Sequence, residues 1–297
     1  MEKKEDDYSY GEAFRDFRTQ GNVYEVYDKL YDEIDVHYLK DVEDVIVVGG
    51  GPALSELTFL KKLVKNVKRL TVIEKDPKFV EMMKKNVERL LPYNLEFNCH
   101  LTMAQSWQGP SGDKPKTDLI LIFHSLYYFD EAERKALYDK CFNNWLNHNG
   151  KLFIKLHKDM NETNIPYYVN NVFRETKRKL YIEAYTVKRE LAELGYSIDK
   201  VYPYQYYHDL KTCKQSMARI IRQHAVPAYE DDSIILQTLE KYYEADGKIC
   251  TSGELFSVLG KAGTYIKDLQ LKKENTDFLF MVAFDTEVLF QSEICLS

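Results

Sequence analysis

Apolar residues along the chain fall into short unbroken runs separated by charged, helix-period stretches, and the runs read as strands buried on both faces. Val45 to Val48 is the first. Arg69 to Glu74 (RLTVIE) is the second, Leu95 to Cys99 the third, Asp118 to Phe123 (DLILIF) the fourth and Lys151 to Leu156 the fifth. Between them, Ser55 to Leu63, Pro77 to Leu90 and Glu131 to Trp145 have amphipathic helical spacing; in the second of these Phe79, Met82, Met83 and Val87 make the apolar face. Asn147 to Gly150 reads as a turn, and Leu101 to Lys116, with two Gly and two Pro, as a loop. His157 to Pro166 is polar and irregular. Thr186 to Leu194 predicts a helix ended by Gly195, and Tyr196 to Tyr202 a sixth strand that continues as an aromatic run through Tyr204, Tyr206 and Tyr207. Asp209 to Gly263 reads as mainly helical with a break at Pro227, and Asp277 to Phe284 (DFLFMVAF) as a seventh, antiparallel strand. Strands alternating with helices predict an α/β fold, a Rossmann-like open sheet with its ligands at the carboxyl ends of the strands.

The first forty residues are periodic as well. Tyr10, Phe14, Phe17, Tyr24, Tyr27 and Tyr31 recur mostly three or four apart, and Thr19 to Asn22 divide the run into two short helices. Their aromatic stripe suits a cap packed on the edge of the sheet, and the same rings can close over a ligand. The organisation expected is a helical cap or lid over residues 1–40, a cofactor-binding core over 41–208, a helical inserted lobe over 209–274, and a return to the core sheet over 275–297.

Gly49, Gly50 and Gly51 leave the first strand through a turn where a side chain would keep a ligand from the backbone. Glu74 ends the next strand, one βαβ unit later, where a carboxylate can accept hydrogen bonds from both ribose hydroxyls of an adenine nucleoside. A dinucleotide fingerprint would carry a third glycine where this chain has Leu54, and no second mononucleotide half follows. A single adenosine without a pyrophosphate is therefore expected, which favours S-adenosylmethionine over NAD.

Composition narrows the partners. The net charge of −6 is spread over mixed signs, so neither nucleic acid nor an anionic membrane is an expected partner. The five cysteines are widely spaced and form no CxxC, as in a cytoplasmic protein with reduced thiols. The N-terminal MEKKEDDYSY has no apolar leader segment, and no apolar run reaches membrane-spanning length. His100, His208 and Cys213 lack metal-ligand spacing, and no metal is expected.

The aromatic cap beginning near Tyr10 and Phe14, the GGG turn, the Leu126-Tyr127-Tyr128 tripeptide after strand four and the Asn275-Thr276 pair before the last run resemble, in their order, histamine N-methyltransferase and its animal relatives, which are class I S-adenosylmethionine-dependent methyltransferases. The resemblance spans nearly the whole chain and is weakest over Asp209 to Gly263. It implies a seven-stranded class I methyltransferase sheet, S-adenosylmethionine as cofactor, a small amine as methyl acceptor and a monomer. Gly49 and Glu74 take the places of the family's cofactor glycine and ribose glutamate, with Gly50, Gly51, Phe123 and His124 beside them. Tyr10, Phe14, Tyr24, Tyr128 and Asn275 fall on its substrate side, and His124 stands where the family has glutamine. The family's glutamate that grips the imidazole of histamine falls on Val23, with Glu25 two positions on, so histamine itself is not the expected acceptor.

Methyl transfer from a sulfonium is a direct displacement that asks for alignment and exclusion of water. His124 reads either as a modest base for the acceptor or as a hydrogen-bonded histidine at a strand end, and Tyr128 either as a ligand contact or as packing. A hydroxyl, a thiol or a protein side chain remains open as acceptor, as does a non-catalytic nucleoside-binding role.

Overall fold

The structure is a computed structural model; it describes residues 10–260 apart from 92–93, 111–115, 159–164, 226, 228 and 242–247. Two helices, α1 (Tyr10–Thr19) and α2 (Val23–Asp32), precede the sheet, divided at Gln20 to Asn22 as expected. Then come β1 (Asp44–Val48), α3 (Leu54–Leu63), β2 (Arg69–Glu74), α4 (Pro77–Leu90), β3 (Glu96–Leu101), β4 (Thr117–Phe123), α5 (Glu131–Asp139) and β5 (Leu146–His157). The chain continues through α6 (Ile165–Glu175), α7 (Ala184–Glu193), β6 (Ser197–Asp209), α8 (Leu210–His224), α9 (Ser233–Lys241) and β7 (Lys248–Leu259).

The strands form one seven-stranded sheet in the order β3-β2-β1-β4-β5-β7-β6. β1 to β5 are parallel, and β7 runs antiparallel between β5 and β6. The order reverses at β1 and β4, which opens a crevice above their carboxyl ends. One apolar layer packs α2, α3 and α4 on one face of the sheet, with Tyr27, Tyr31, Phe59, Leu60 and Met83 at its centre; the other packs α5 and α7 through Leu137, Tyr138, Trp145, Val187 and Leu191. A third cluster joins α6, α8, α9 and β7 through Val169, Phe173, Met217, Ile221, Ile235 and Ile249.

The expected seventh strand, Asp277 to Phe284, lies outside the described residues. The seventh strand of the sheet is β7, within the stretch expected to be mainly helical. Its sequence, KICTSGELFSVL, places Ile249, Leu255, Phe256 and Val258 in the core among polar residues, and pairing on both sides fixes it as a strand. At Gly253 a Cβ would sit 2.2 Å from Tyr204 Cζ, so the glycine makes room for a ring on the neighbouring strand. β6 extends through the aromatic run to Asp209, beyond the expected end at Tyr202, because β7 pairs with it along that whole length.

Candidate functional site

The turn after β1 is shaped by backbone conformations that few residues adopt. Gly49 and Gly51 have φ of 66° and 53°, and Ala53, at the start of α3, has 55°. A Cβ at Gly49 would lie 2.7 Å from Ser125 Cβ; one at Gly51 would meet nothing within 4 Å and would project into open space. Gly49 N–H donates to Ile73 O at 2.8 Å, which locks the turn onto β2.

Glu74 ends β2, buried beside that turn. Its carboxylate accepts from Gly51 N–H at 2.8 Å through Oε2 and from Asp76 N–H at 2.9 Å through Oε1. Each oxygen retains a second lone pair, so the group that shapes the turn can still accept from a ligand diol. Asp76 caps α4 by accepting from Lys78 N–H at 2.9 Å, with Pro77 in the first turn of the helix.

Above these groups lies a cavity of about 500 Å³. Gly49, Gly50 and Gly51, Ser55 and Glu56 at the head of α3, Glu74 and Asp76, the Thr102 to Gln105 segment after β3, and Phe123 to Ser125 line it. Arg18, Tyr24 and Tyr27 line it from the cap, and Tyr127, Tyr128 and Glu133 from the far side. The start of the loop expected after the third strand is thus on the wall.

His124 follows β4 with φ of 52°, a strained value for a residue with a Cβ, and its backbone N–H donates to Lys155 O at 2.8 Å. Its Nε2 lies 3.0 Å from Tyr27 Oη and 3.2 Å from Tyr204 Oη. Burial first, then His157, Arg18 and Lys155, hold its pKa well below the ordinary histidine value. A neutral ring already engaged by two phenols is a weak base, so the arrangement favours the hydrogen-bonded reading over the base. His157 packs at 5.1 Å between ring centroids.

A second cavity, of about 70 Å³, adjoins the first: Arg18, His124 and Tyr127 line both. Phe17, His157, Tyr181, Tyr206, Met217, Ile221 and Thr251 complete most of its wall. Tyr128 borders the larger cavity instead, where Lys75 lies 5.2 Å from its ring centroid and the Tyr127 ring 4.7 Å away.

Behind the wall sits a group that sequence reasoning passed over. Lys155, the polar residue of the KLFIKL strand, is fully buried. Its Nζ donates to Tyr31 Oη at 2.9 Å and to Ser55 Oγ, and lies over the rings of Tyr27 and Phe123 at 3.5 and 4.4 Å. Burial drives its pKa well below the lysine range, against the pull of Glu56. Burial likewise pushes the Glu56 carboxyl up to about 7, although Lys155 opposes the shift. The signal available was a lysine inside an otherwise apolar parallel strand, a position that demands a partner.

Val23 faces the apolar layer with no exposure, and Glu25 is exposed to solvent on the opposite side of α2, so Tyr24 is the one of the three that lines the cavity. Tyr10 and Phe14 lie on α1, but their side chains are outside the described part of the structure, as is Asn275. No group of three or more metal-ligating side chains occurs among the described residues. No described helix is long and apolar enough to cross a membrane.

No family model matches the chain, and no curated protein matches it in sequence. Solved structures do. A Bacillus halodurans protein described as a methyltransferase candidate superposes with a TM-score of 0.52 at 13% identity, covering 78% of this chain and 97% of its own. The YcgJ protein of Bacillus subtilis superposes with the same TM-score at 12% identity, covering 81% of this chain and all of its own. With the strand order above, these likenesses show the fold: this chain has the Rossmann-like seven-stranded sheet found in class I methyltransferases.

Proposed function

We propose that the chain binds S-adenosylmethionine in the larger cavity and transfers its methyl group to the nitrogen of a small amine held in the smaller one. The observation that carries this reading is the sharing of Arg18, His124 and Tyr127 by the two cavities, which puts an adenosine-type cleft and an aromatic chamber side by side. The residues fit the cofactor. Glu74 has lone pairs to spare for a ribose diol, Gly51 leaves open the space that a Cβ would fill, and Thr102 to Gln105 wall the adenine side. An activated methyl on a sulfonium is the chemistry such a cofactor supplies when bound.

The protein's own part is to orient and to dry. His124 and Tyr127, with the Arg18 guanidinium, stand between the sites, and Tyr27 and Phe123 add apolar ring surface on the side of the larger cavity. An acceptor nitrogen must arrive with its lone pair free, and burial holds His124, which lines both cavities, in its uncharged form. A second reading, methylation of a ring hydroxyl, is favoured by Arg18, whose guanidinium would stabilise an oxyanion in the same place. Incubation with isotope-labelled S-adenosylmethionine and a panel of amines and phenols, followed by mass detection of product, tests both; label transferred to neither class would refute the proposal.

A further inference from the structure

We infer that Glu56 is the seat of the α-ammonium at the aminoacyl end of the cofactor, so that the larger cavity selects adenosine thioethers carrying a primary amine there. The inference deepens the methyl-transfer reading and rests on it for the nature of the cofactor and for the placing of its ribose on Glu74.

The order of the sheet sets which end of the cavity Glu56 occupies. Thr102 to Gln105 follow β3 and Glu74 ends the neighbouring β2, so a nucleoside with its ribose on Glu74 and its base toward β3 directs the rest of the molecule over β1. The turn after β1 runs straight into α3. Glu56 stands in the first turn of that helix and lines the cavity, on the side away from the base.

A census of the acids in the wall points to the same residue. Among the described residues four carboxylates line the cavity, Glu56, Glu74, Asp76 and Glu133, and three of them are already held by other residues. Glu74 accepts from the Gly51 and Asp76 N–H groups, and Asp76 accepts from Lys78 N–H at the cap of α4. Glu133 accepts from Asp130 N–H at 2.9 Å and from Gln105 Nε2 at 3.0 Å. Glu56 is only 4% exposed, and its carboxylate meets its own backbone N–H. No ion pair and no hydrogen bond from another described residue reaches it. A buried acid in this condition is costly to the fold, and a cation brought into the cavity would complete it.

The charges around Glu56 leave that place open. Lys155 directs Nζ to Tyr31 Oη and Ser55 Oγ, and burial drives it toward its uncharged form. Arg18 favours the Glu56 carboxylate without forming an ion pair with it, while Glu74 adds a like charge. Tyr24 and Tyr31 face it as neutral phenols. Burial outweighs these influences and lifts the carboxyl to about 7. An ammonium against it would supply both the counter-charge and three N–H donors. An acid in the first turn also complements the helix dipole, but that role needs no burial and is blind to the ligand.

The test varies the amine on the ligand and the acid on the protein together. S-adenosylhomocysteine, its deamino analogue, which keeps the carboxylate, and S-adenosylthiopropylamine, which keeps the amine and lacks the carboxylate, are titrated calorimetrically into the wild type and Glu56→Gln. Loss of the amine is expected to weaken binding to the wild type about tenfold or more, the worth of a charge-assisted hydrogen bond. Glu56→Gln should weaken the two amine-bearing ligands by a similar factor and the deamino analogue by roughly threefold or less. The deamino analogue binding the wild type as tightly as S-adenosylhomocysteine would overturn the inference. Equal weakening of all three ligands by Glu56→Gln, the mark of a structural role, would do so as well. Weakening confined to the two carboxylate-bearing ligands would also overturn it, in favour of a protonated Glu56 that donates to the carboxylate. Thermal melting without ligand checks that the variant folds, and the wild-type comparison can overturn the inference without it. Failure of S-adenosylhomocysteine itself to bind the wild type refutes the cofactor reading underneath, whereas binding that ignores the amine refutes this inference alone.

Discussion

Lys155 Nζ lies 3.5 Å from the centroid of the Tyr27 ring and donates to Tyr31 Oη at 2.9 Å, so a strand in the middle of the sheet is tied to the helix that roofs the cofactor cleft. The tie costs stability, because an amine held inside the fold loses its hydration. Lys155→Met keeps the length of the side chain and removes that cost. Its folded state is expected to be as stable as the wild type or more stable, by about 1 to 4 kcal/mol in urea unfolding at neutral pH. The unfolded wild-type chain holds a proton on this lysine that the folded chain gives up early. Wild-type stability therefore rises with pH from the depressed folded value up to the ordinary lysine value of 10.5, and the variant lacks that slope.

Glu56 gives a slope of the opposite sign. Its carboxyl titrates at about 7 in the folded chain against an ordinary value of 4.5, so between those limits the folded state holds the extra proton. Stability is then lost as pH climbs through that window, by roughly 3 kcal/mol at full effect for a group with so little exposure. Glu56→Gln should flatten the acid side of the profile and exceed the wild type in stability at pH 8. Denaturant midpoints at half-unit pH steps read this out, and an unchanged profile in the variant would show that another group carries the slope.

Glu74 has two duties, and its variants separate them. Glu74→Ala removes the acceptor for Gly51 N–H and Asp76 N–H together with the proposed ribose contacts. Binding of S-adenosylmethionine should weaken by roughly 1.5 to 3 kcal/mol or more, because charge-assisted hydrogen bonds are lost. Glu74→Gln keeps one acceptor oxygen, and an intermediate affinity is expected. Calorimetry against NAD in parallel checks the nucleoside: NAD binding more tightly than S-adenosylmethionine would reverse the assignment.

The two left-handed glycines should fail differently. Gly49→Ala places a Cβ against Ser125 and adds left-handed strain of roughly 1 to 2 kcal/mol, so the melting temperature and ligand binding should fall together. Gly51→Ala carries similar strain without the clash, but its methyl group projects into the cleft. Cofactor affinity should drop further there than stability does, and thermal melts beside calorimetry distinguish the two patterns.

What could be read from the sequence was local. The run Val45 to Val48, the three glycines after it and the strand-ending Glu74 sit within one βαβ unit, and their roles follow from hydrophobic pattern and backbone sterics alone. β7 was not legible for the opposite reason. Lys248 to Leu259 becomes a strand because β5 and β6 already flank it, while the more apolar DFLFMVAF drew the assignment to a later stretch. His124 was visible as a residue of interest, yet its two hydrogen bonds depend on Tyr27 and Tyr204, 97 and 80 positions away. Lys155 was hidden in the same way, since its partners Tyr31 and Ser55 are far upstream in the chain.

The turn between the two cap helices joins the edge of the sheet. Gly21 bridges His208, Asn22 N–H donates to Tyr207 O at 3.3 Å, and Asn22 Oδ1 accepts from Tyr207 N–H at 2.7 Å. Backbone pairing thus ties the roof over the site to β6 here, beside the Phe17–His208 stack and the Tyr27–Tyr206 ring contact, and lifting it unpicks that pairing at the rim of the sheet. Hydrogen exchange at the Asn22 and Tyr207 amides should then report a single opening event, with one shared protection factor that rises when the cleft is filled. Opening of the cleft would then involve fraying at an edge strand as well as movement of the cap.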